Sequence, residues 1–186
     1  PVGRSAPSTR HLFDRIRSVK PETSISLLTP SVDLLHWVNN RADSKQHTPV
    51  DSQNPYFSLL ELVSGANQVL KSSNPDLAFV HVPLPASESA AISTTQYDRL
   101  VGMLLDTVVK RPAYPDEDWL ILVVNPGIPE STTDTSAFML AAGKSVPHER
   151  AVVSAALADL APTILRHMEL LAVEAGIFSG QPIPIF

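Results

Sequence analysis

Asp118-Trp-Leu-Ile-Leu-Val-Val-Asn-Pro-Gly127 is the stretch on which the reading of this chain turns. Leu120 to Val124 is an unbroken apolar run rich in β-branched side chains. It lacks polar alternation, which predicts a strand buried on both faces inside a parallel sheet. Asn125-Pro126-Gly127 then stops it, because proline has no ladder donor and glycine permits a sharp turn. In open α/β sheets, ligands and metals sit at the carboxyl ends of such strands. The side chains at and beyond position 125 therefore bear directly on function, and they carry almost no chemistry.

Working outward, Pro115 to Asp118 leads into this strand, and a polar Ser/Thr loop over 130–136 separates it from a second apolar strand, Ala137 to Ala142. A loop with Gly143 and Pro147 follows. A helix then begins at Asp159 or Leu160, with Pro162 tolerated in its first turn and the periodic pattern running to Ala175. The tail 180–186 reads as extended. Upstream, Thr94 to Lys110 is the clearest helix. Leu100, Val101, Leu104, Leu105 and Val108 follow Tyr97 at spacings of three, four, seven, eight and eleven. Leu77 to Val82 reads as a buried strand between the Asn74-Pro75-Asp76 turn and Pro83-Leu84-Pro85. Tyr56 to Lys71 reads as a helix with Leu59, Leu60, Val63, Val69 and Leu70 inward. Arg41 to Asn54 reads as an exposed loop. Ser24 to Thr29 is a short strand, and after Pro30 a helix runs from Ser31 to about Asn39 on a stripe of Leu34, Leu35 and Val38. Helices alternating with buried strands predict one α/β domain over residues 1–186, a three-layer sandwich with a mainly parallel central sheet.

Residues 1–20 carry Arg4, Arg10, Arg15, Arg17 and Lys20 against one acid, Asp14, with serines between them. That composition resembles a transit peptide. It equally fits a surface helix capped near Ser8 or Thr9 with Leu12, Phe13, Ile16 and Val19 inward, and residues 1–8 read as an arm that is flexible or contacts a partner. Pro1 fits removal of an initiator methionine, so a complete chain is expected. The net charge of −5 gives no nucleic-acid signal, and no apolar run approaches a membrane span. The absence of cysteine excludes disulfides and thiolate chemistry. Seventeen prolines punctuate the loops.

No motif among the polar residues specifies a reaction. His11, His36 and His47 stand in helices and a loop with no ligand partner at paired spacing. His81, at a strand end, reads as packed or hydrogen-bonded. His148-Glu149-Arg150 lacks the second histidine of a helical zinc pair, and His167 and Glu169 face different sides of a helix. Gly143-Lys144-Ser145 looks like the end of a phosphate loop, but the earlier glycine is Phe138. No Gly-x-Ser-x-Gly elbow is present. Trp37 and Trp119 read as core or rim packing, and Asp98 and Asp106 as solvated charges on the outer face of their helix.

Asp76-Leu-Ala-Phe-Val-His81, Tyr97-Asp98 with Val101-Gly102 and Leu105-Asp106, and Arg111-Pro112 with Glu117 to Val124 form an ordered series. Ala137 to Gly143 and Asp159 to Leu165 complete it. In this order the segments resemble the alkaline phosphatase superfamily, in its type I phosphodiesterase/nucleotide pyrophosphatase-like branch, over about residues 9–182. The resemblance implies a central sheet flanked by helices. In active members, a Thr or Ser nucleophile and two metals about 4 Å apart clamp an in-line phosphoryl transfer. Where the resemblance calls for an Asp and a His four residues on, this chain has Ala86 and Ala90; Glu88 has the wrong spacing. Where it calls for Asp-His-Gly, the chain has Asn125-Pro126-Gly127. No histidine lies between Ile128 and Ser136 for a third ligand. The resemblance also implies an amino-terminal segment with the first metal-binding Asp and the nucleophile; its absence is expected here, giving an alkaline-phosphatase-like fold truncated at the amino terminus.

These departures imply a catalytically inactive relative with no catalytic, cofactor-binding or metal-binding residues and no cofactor. The expected role is a structural or assembly subunit whose partners are protein subunits of a larger complex. The basic start favours a mitochondrial location over a cytoplasmic one. Two alternatives stand beside it. One is a metal-dependent phosphoryl- or sulfuryl-ester hydrolase completed around Asn125 by another chain. The other is a non-catalytic anion-binding module using Lys144, Arg150 and the helix start near Asp159.

Overall fold

The structure is a computed structural model, and it describes residues 11–83, 94–125, 138–147, 155–170, 178 and 180–185. The chain divides into two compact units, Phe13–Tyr114 and Pro1–Leu12 with Pro115–Phe186. The class is α/β, with a small parallel sheet and helices in the first unit.

That unit is organised around β1 (Ile25–Thr29), whose five residues are all buried. Helix α1 (Leu12–Val19) precedes it and buries Phe13, Arg15 and Ile16. After Pro30, Ser31 caps α2 (Val32–Val38): its hydroxyl accepts from Leu34 N at 3.1 Å. The chain then forms β2 (Ser44–His47), α3 (Pro55–Ser72), β3 (Leu77–Val80) and α4 (Thr94–Val109). The sheet order is β2-β1-β3, with both pairings parallel, Thr29 opposite His47 and Leu28 opposite Val80. Leu28, Leu59, Leu62, Val63, Ala66 and Leu100 form one buried cluster, so α3 and α4 close on the face of β1 that carries Leu28. Ile25 and Leu27, both buried, point to the other face by the two-residue period of a strand.

Strand β2 corrects the expected exposed loop over 41–54. Ser44-Lys-Gln-His47 contains no apolar residue, and its side chains alternate between half-buried and exposed. The backbone supplies what the side chains lack. Asp43 N donates to Ile25 O at 2.8 Å, and the Asp43 carboxylate accepts from Ile25 N at 2.8 Å. Arg17 of α1 holds the same carboxylate at 2.6 Å, and together with the Ile25 amide it keeps the Asp43 pKa below the usual carboxylate range. Arg41 pairs with Asp14 of α1 at 2.7 Å. A polar edge strand also discourages pairing with other chains.

Helix α3 buries Leu59, Val63 and Leu70 as expected, and adds Leu62 and Ala66. Helix α4 buries Leu100, Thr107 and Val108, while exposed Asp106 pairs with Lys110 at 2.7 Å one turn on. Strand β3 is shorter than the expected 77–82 and only half-buried, with Phe79 45 % exposed. Among the described residues it has one strand neighbour, so one of its edges lacks a strand.

In the second unit, the apolar run after Asp118-Trp119 forms β4 (Leu120–Asn125), paired with β5 (Phe138–Gly143). The pairing is antiparallel, and every residue of β4 is half-buried. Both findings correct the expectation of a doubly buried parallel strand. An apolar run without alternation reads the same whichever way its neighbour runs, and it does not fix how deeply it is covered. Strand β5 alternates between exposed and half-buried residues. Gly143 lies opposite Leu120, where a Cβ would run into the Trp119 carbonyl.

A 3₁₀ turn (Leu157–Asp159) opens α5 (Leu160–His167). This helix ends well before the expected Ala175; the stretch 171–177 lies outside the described residues. Leu170 N donates to Leu165 O at 2.7 Å and Glu169 N to Arg166 O at 3.0 Å. Those two bonds, with Glu169 at φ 60°, make a Schellman cap in which glutamate occupies the usual glycine position. Leu165 and Leu170 are buried, as the cap's hydrophobic pair requires. Glu169→Gly is therefore expected to raise stability by about 1 kcal/mol by removing the left-handed penalty, read as a higher urea midpoint; a lower midpoint would contradict the cap. The tail is anchored rather than loose. Ile183 N donates to Thr163 Oγ1 at 2.9 Å, and Ile183 and Ile185 are buried.

Candidate functional site

Parallel pairing brings three polar side chains into one row at the carboxyl ends of the first unit's strands. Thr29 ends β1 and lies opposite His47, the last residue of β2. His81 follows β3, and its amide donates to Leu28 O at 2.9 Å. Neighbouring strands stand about 4.8 Å apart, so a His–Thr–His row runs along the edge where α/β sheets hold ligands. Sequence spacing alone leaves these residues unrelated, because the row exists only once β2 and β3 both pair with β1.

Thr29 Oγ1 accepts from Ser31 N at 3.0 Å and lies 2.9 Å from His81 Nδ1. A hydroxyl has one proton and two lone pairs, so both bonds are satisfied together. The pair resembles a nucleophile beside its base, but Thr29 is 0 % exposed. A hydroxyl sealed from solvent meets no substrate; here it ties β1, β3 and the entry to α2 together. This is the hydrogen-bonded role expected of His81.

Burial lowers the His81 pKa from its ordinary 6.5. Between the folded pKa and 6.5 the unfolded chain binds more protons, so stability rises with pH through that window and is complete above it. The fold is expected to lose stability as pH falls below 6.5, by up to about 1.4 kcal/mol per pH unit. Urea midpoints between pH 7 and 5 test this. His81→Gln is expected to flatten the slope, and an equal slope in the variant would contradict the assignment.

A second grouping lies beside β2. Leu35, His36, Asn39, Lys45 and His47 line an open cleft of about 450 Å³. His47 Nε2 is 3.0 Å from Pro30 O and Lys45 Nζ 2.5 Å from Asn39 O. Lys45 and His47 reach the cleft as alternate residues of a strand, a spacing that an exposed loop over 41–54 does not supply.

In the second unit, Asn125 ends β4 opposite Phe138. Positions 126 and 127, Ala86, Ala90, His148 and Arg150 lie outside the described residues. Among the described residues, no three or more His, Asp or Glu side chains gather as a metal site. Lys144 Nζ donates to Pro115 O, and Ser145 Oγ donates to Asp118 Oδ2 at 3.0 Å. Asp159 accepts from Ala156 N and Gln181 N, each at 2.8 Å, and those amides lower its pKa. The Asp159 carboxylate thus ties the 3₁₀ turn to the tail and makes no side-chain cap bond to α5. His167 Nε2 donates to Asp118 O at 2.9 Å, and Glu169 lies past the helix end. Trp119 Nε1 donates to Glu117 at 2.7 Å. Trp37 is 59 % exposed, so of the expected core or rim packing only the rim fits it.

No protein-family model, no curated protein and no solved structure matches the chain. The fold by itself defines an α/β protein built on a three-stranded parallel sheet. No helix among the described residues is long and apolar enough to cross a membrane.

Proposed function

We propose that this chain is a non-catalytic structural or assembly subunit of a larger protein complex, mitochondrial in location. In this reading its α/β fold is a degenerate relative of the alkaline phosphatase three-layer sandwich, kept for its surface after its metal site decayed. The supporting observation is Asn125 at the carboxyl end of β4, where the family resemblance calls for a metal-holding aspartate. An amide oxygen carries no charge to offset a divalent cation, and the proline that follows has no ligand atom in its side chain. Exposed apolar side chains fit a subunit role. Phe138 and Leu140 alternate outward along β5 at 49 % and 61 % exposure, and exposed apolar surface of this kind serves protein contacts. The basic start, Arg4 to Lys20, supports the mitochondrial part.

Elemental analysis of the purified protein, paired with a phosphodiester turnover assay, tests the loss of catalysis. The expected result is zinc well below one equivalent and turnover at the buffer rate. Stoichiometric zinc with hydrolysis would overturn it. Imaging of the tagged chain outside mitochondria would remove the location alone.

A further inference from the structure

We propose that the cleft between α2 and β2 binds a phosphate monoester. Its five lining residues include Lys45, His36 and His47 and no acid. The two acids nearest in sequence, Asp33 and Asp43, are not among the lining residues, and Asp43 is held by Arg17 and the Ile25 amide. The ammonium of Lys45 gives one of its three protons to Asn39 O, leaving two donors for a ligand. Pro30 O can only accept, so Nε2 of His47 carries a proton and its tautomer is fixed. Asn39 has φ 45°, in the left-handed region, and its carbonyl receives Lys45. Asn39 is the residue that ends α2, so the helix end holds the lysine head beside the cleft. A cation would meet Lys45 at once, so the charge selects an anion. At about 450 Å³ the cleft exceeds a bare phosphate, and Leu35 gives the organic part an apolar wall. The inference uses only the first unit and stands apart from the assembly reading.

Phenyl phosphate titrated into the ¹³C-labelled full chain, following the His36 and His47 ring resonances, tests it. Saturable shifts of both rings are expected, with binding about tenfold weaker in Lys45→Ala, a loss equivalent to about 1.4 kcal/mol. His36→Ala is expected to weaken binding several-fold and serves if Lys45→Ala fails to fold. Three results would each overturn the proposal: no saturable shift in the native chain, undiminished affinity in a folded variant, or benzoate binding as tightly as phenyl phosphate.

Discussion

Arg111→Ala is expected to cost the Phe13–Tyr114 unit about 3 kcal/mol, from two hydrogen bonds of a charged donor at about 1.5 kcal/mol or more each. Arg111 is 8 % exposed. Its Nη1 donates to Leu70 O and its Nη2 to Asn74 Oδ1. Leu70 belongs to the last turn of α3, whose carbonyls lack partners within the helix, and Asn74 follows at φ 45° just past the helix end. One side chain thus satisfies the end of α3, fixes the turn into β3, and sets a positive charge where the helix dipole is negative. Alanine leaves the buried Leu70 carbonyl without this donor. Lysine restores the charge but not the planar fork that reaches two acceptors, so Arg111→Lys is expected to recover only part of the loss. Urea unfolding followed by circular dichroism is the measurement, with a midpoint drop of about 1.5 M expected at an ordinary m-value of roughly 2 kcal/mol per M. An unchanged midpoint in Arg111→Ala would contradict the cap.

Leu62→Ala is expected to cost about 3 kcal/mol, within the range for a leucine deleted from a closed core. Leu62 is 0 % exposed and belongs to the cluster formed by β1, α3 and α4. The loss combines transfer of the missing carbons with the cavity left among neighbours fixed by the sheet. Exposed Glu61, one residue away on the same helix, is the control: Glu61→Ala is expected to stay within about 0.5 kcal/mol of the native chain. Equal effects at both positions would contradict the burial assigned to α3.

The apolar framework of the first unit was readable because period and punctuation agree there. Ser31 before an apolar stripe marked α2, and Tyr97 to Val108 marked α4 by spacing alone. β2 was not readable, since Ser44-Lys-Gln-His47 offers neither alternation nor β-branched residues. Its place is set by two Asp43–Ile25 hydrogen bonds, one between backbones and one through the Asp43 carboxylate, and by Arg17, contacts made across long sequence separation. The cleft followed β2 out of view, because Lys45 and His47 come together with His36 only once that strand is laid beside β1. The pairing direction of β4 stayed hidden for another reason. Leu120 to Val124 is apolar at every position, so nothing in it distinguishes a parallel neighbour from β5 running the other way. The end of α5 was missed because the pattern continues in sequence while Glu169 adopts the left-handed conformation that stops the helix.

Purification of the chain from its native source under mild conditions, with the mass spectrum and native size of what accompanies it, tests the subunit reading most directly. The account predicts a fixed set of partner proteins in constant proportion and a particle much larger than this 20.1 kDa chain. A lone monomer that carries zinc and turns over a phosphodiester would contradict it.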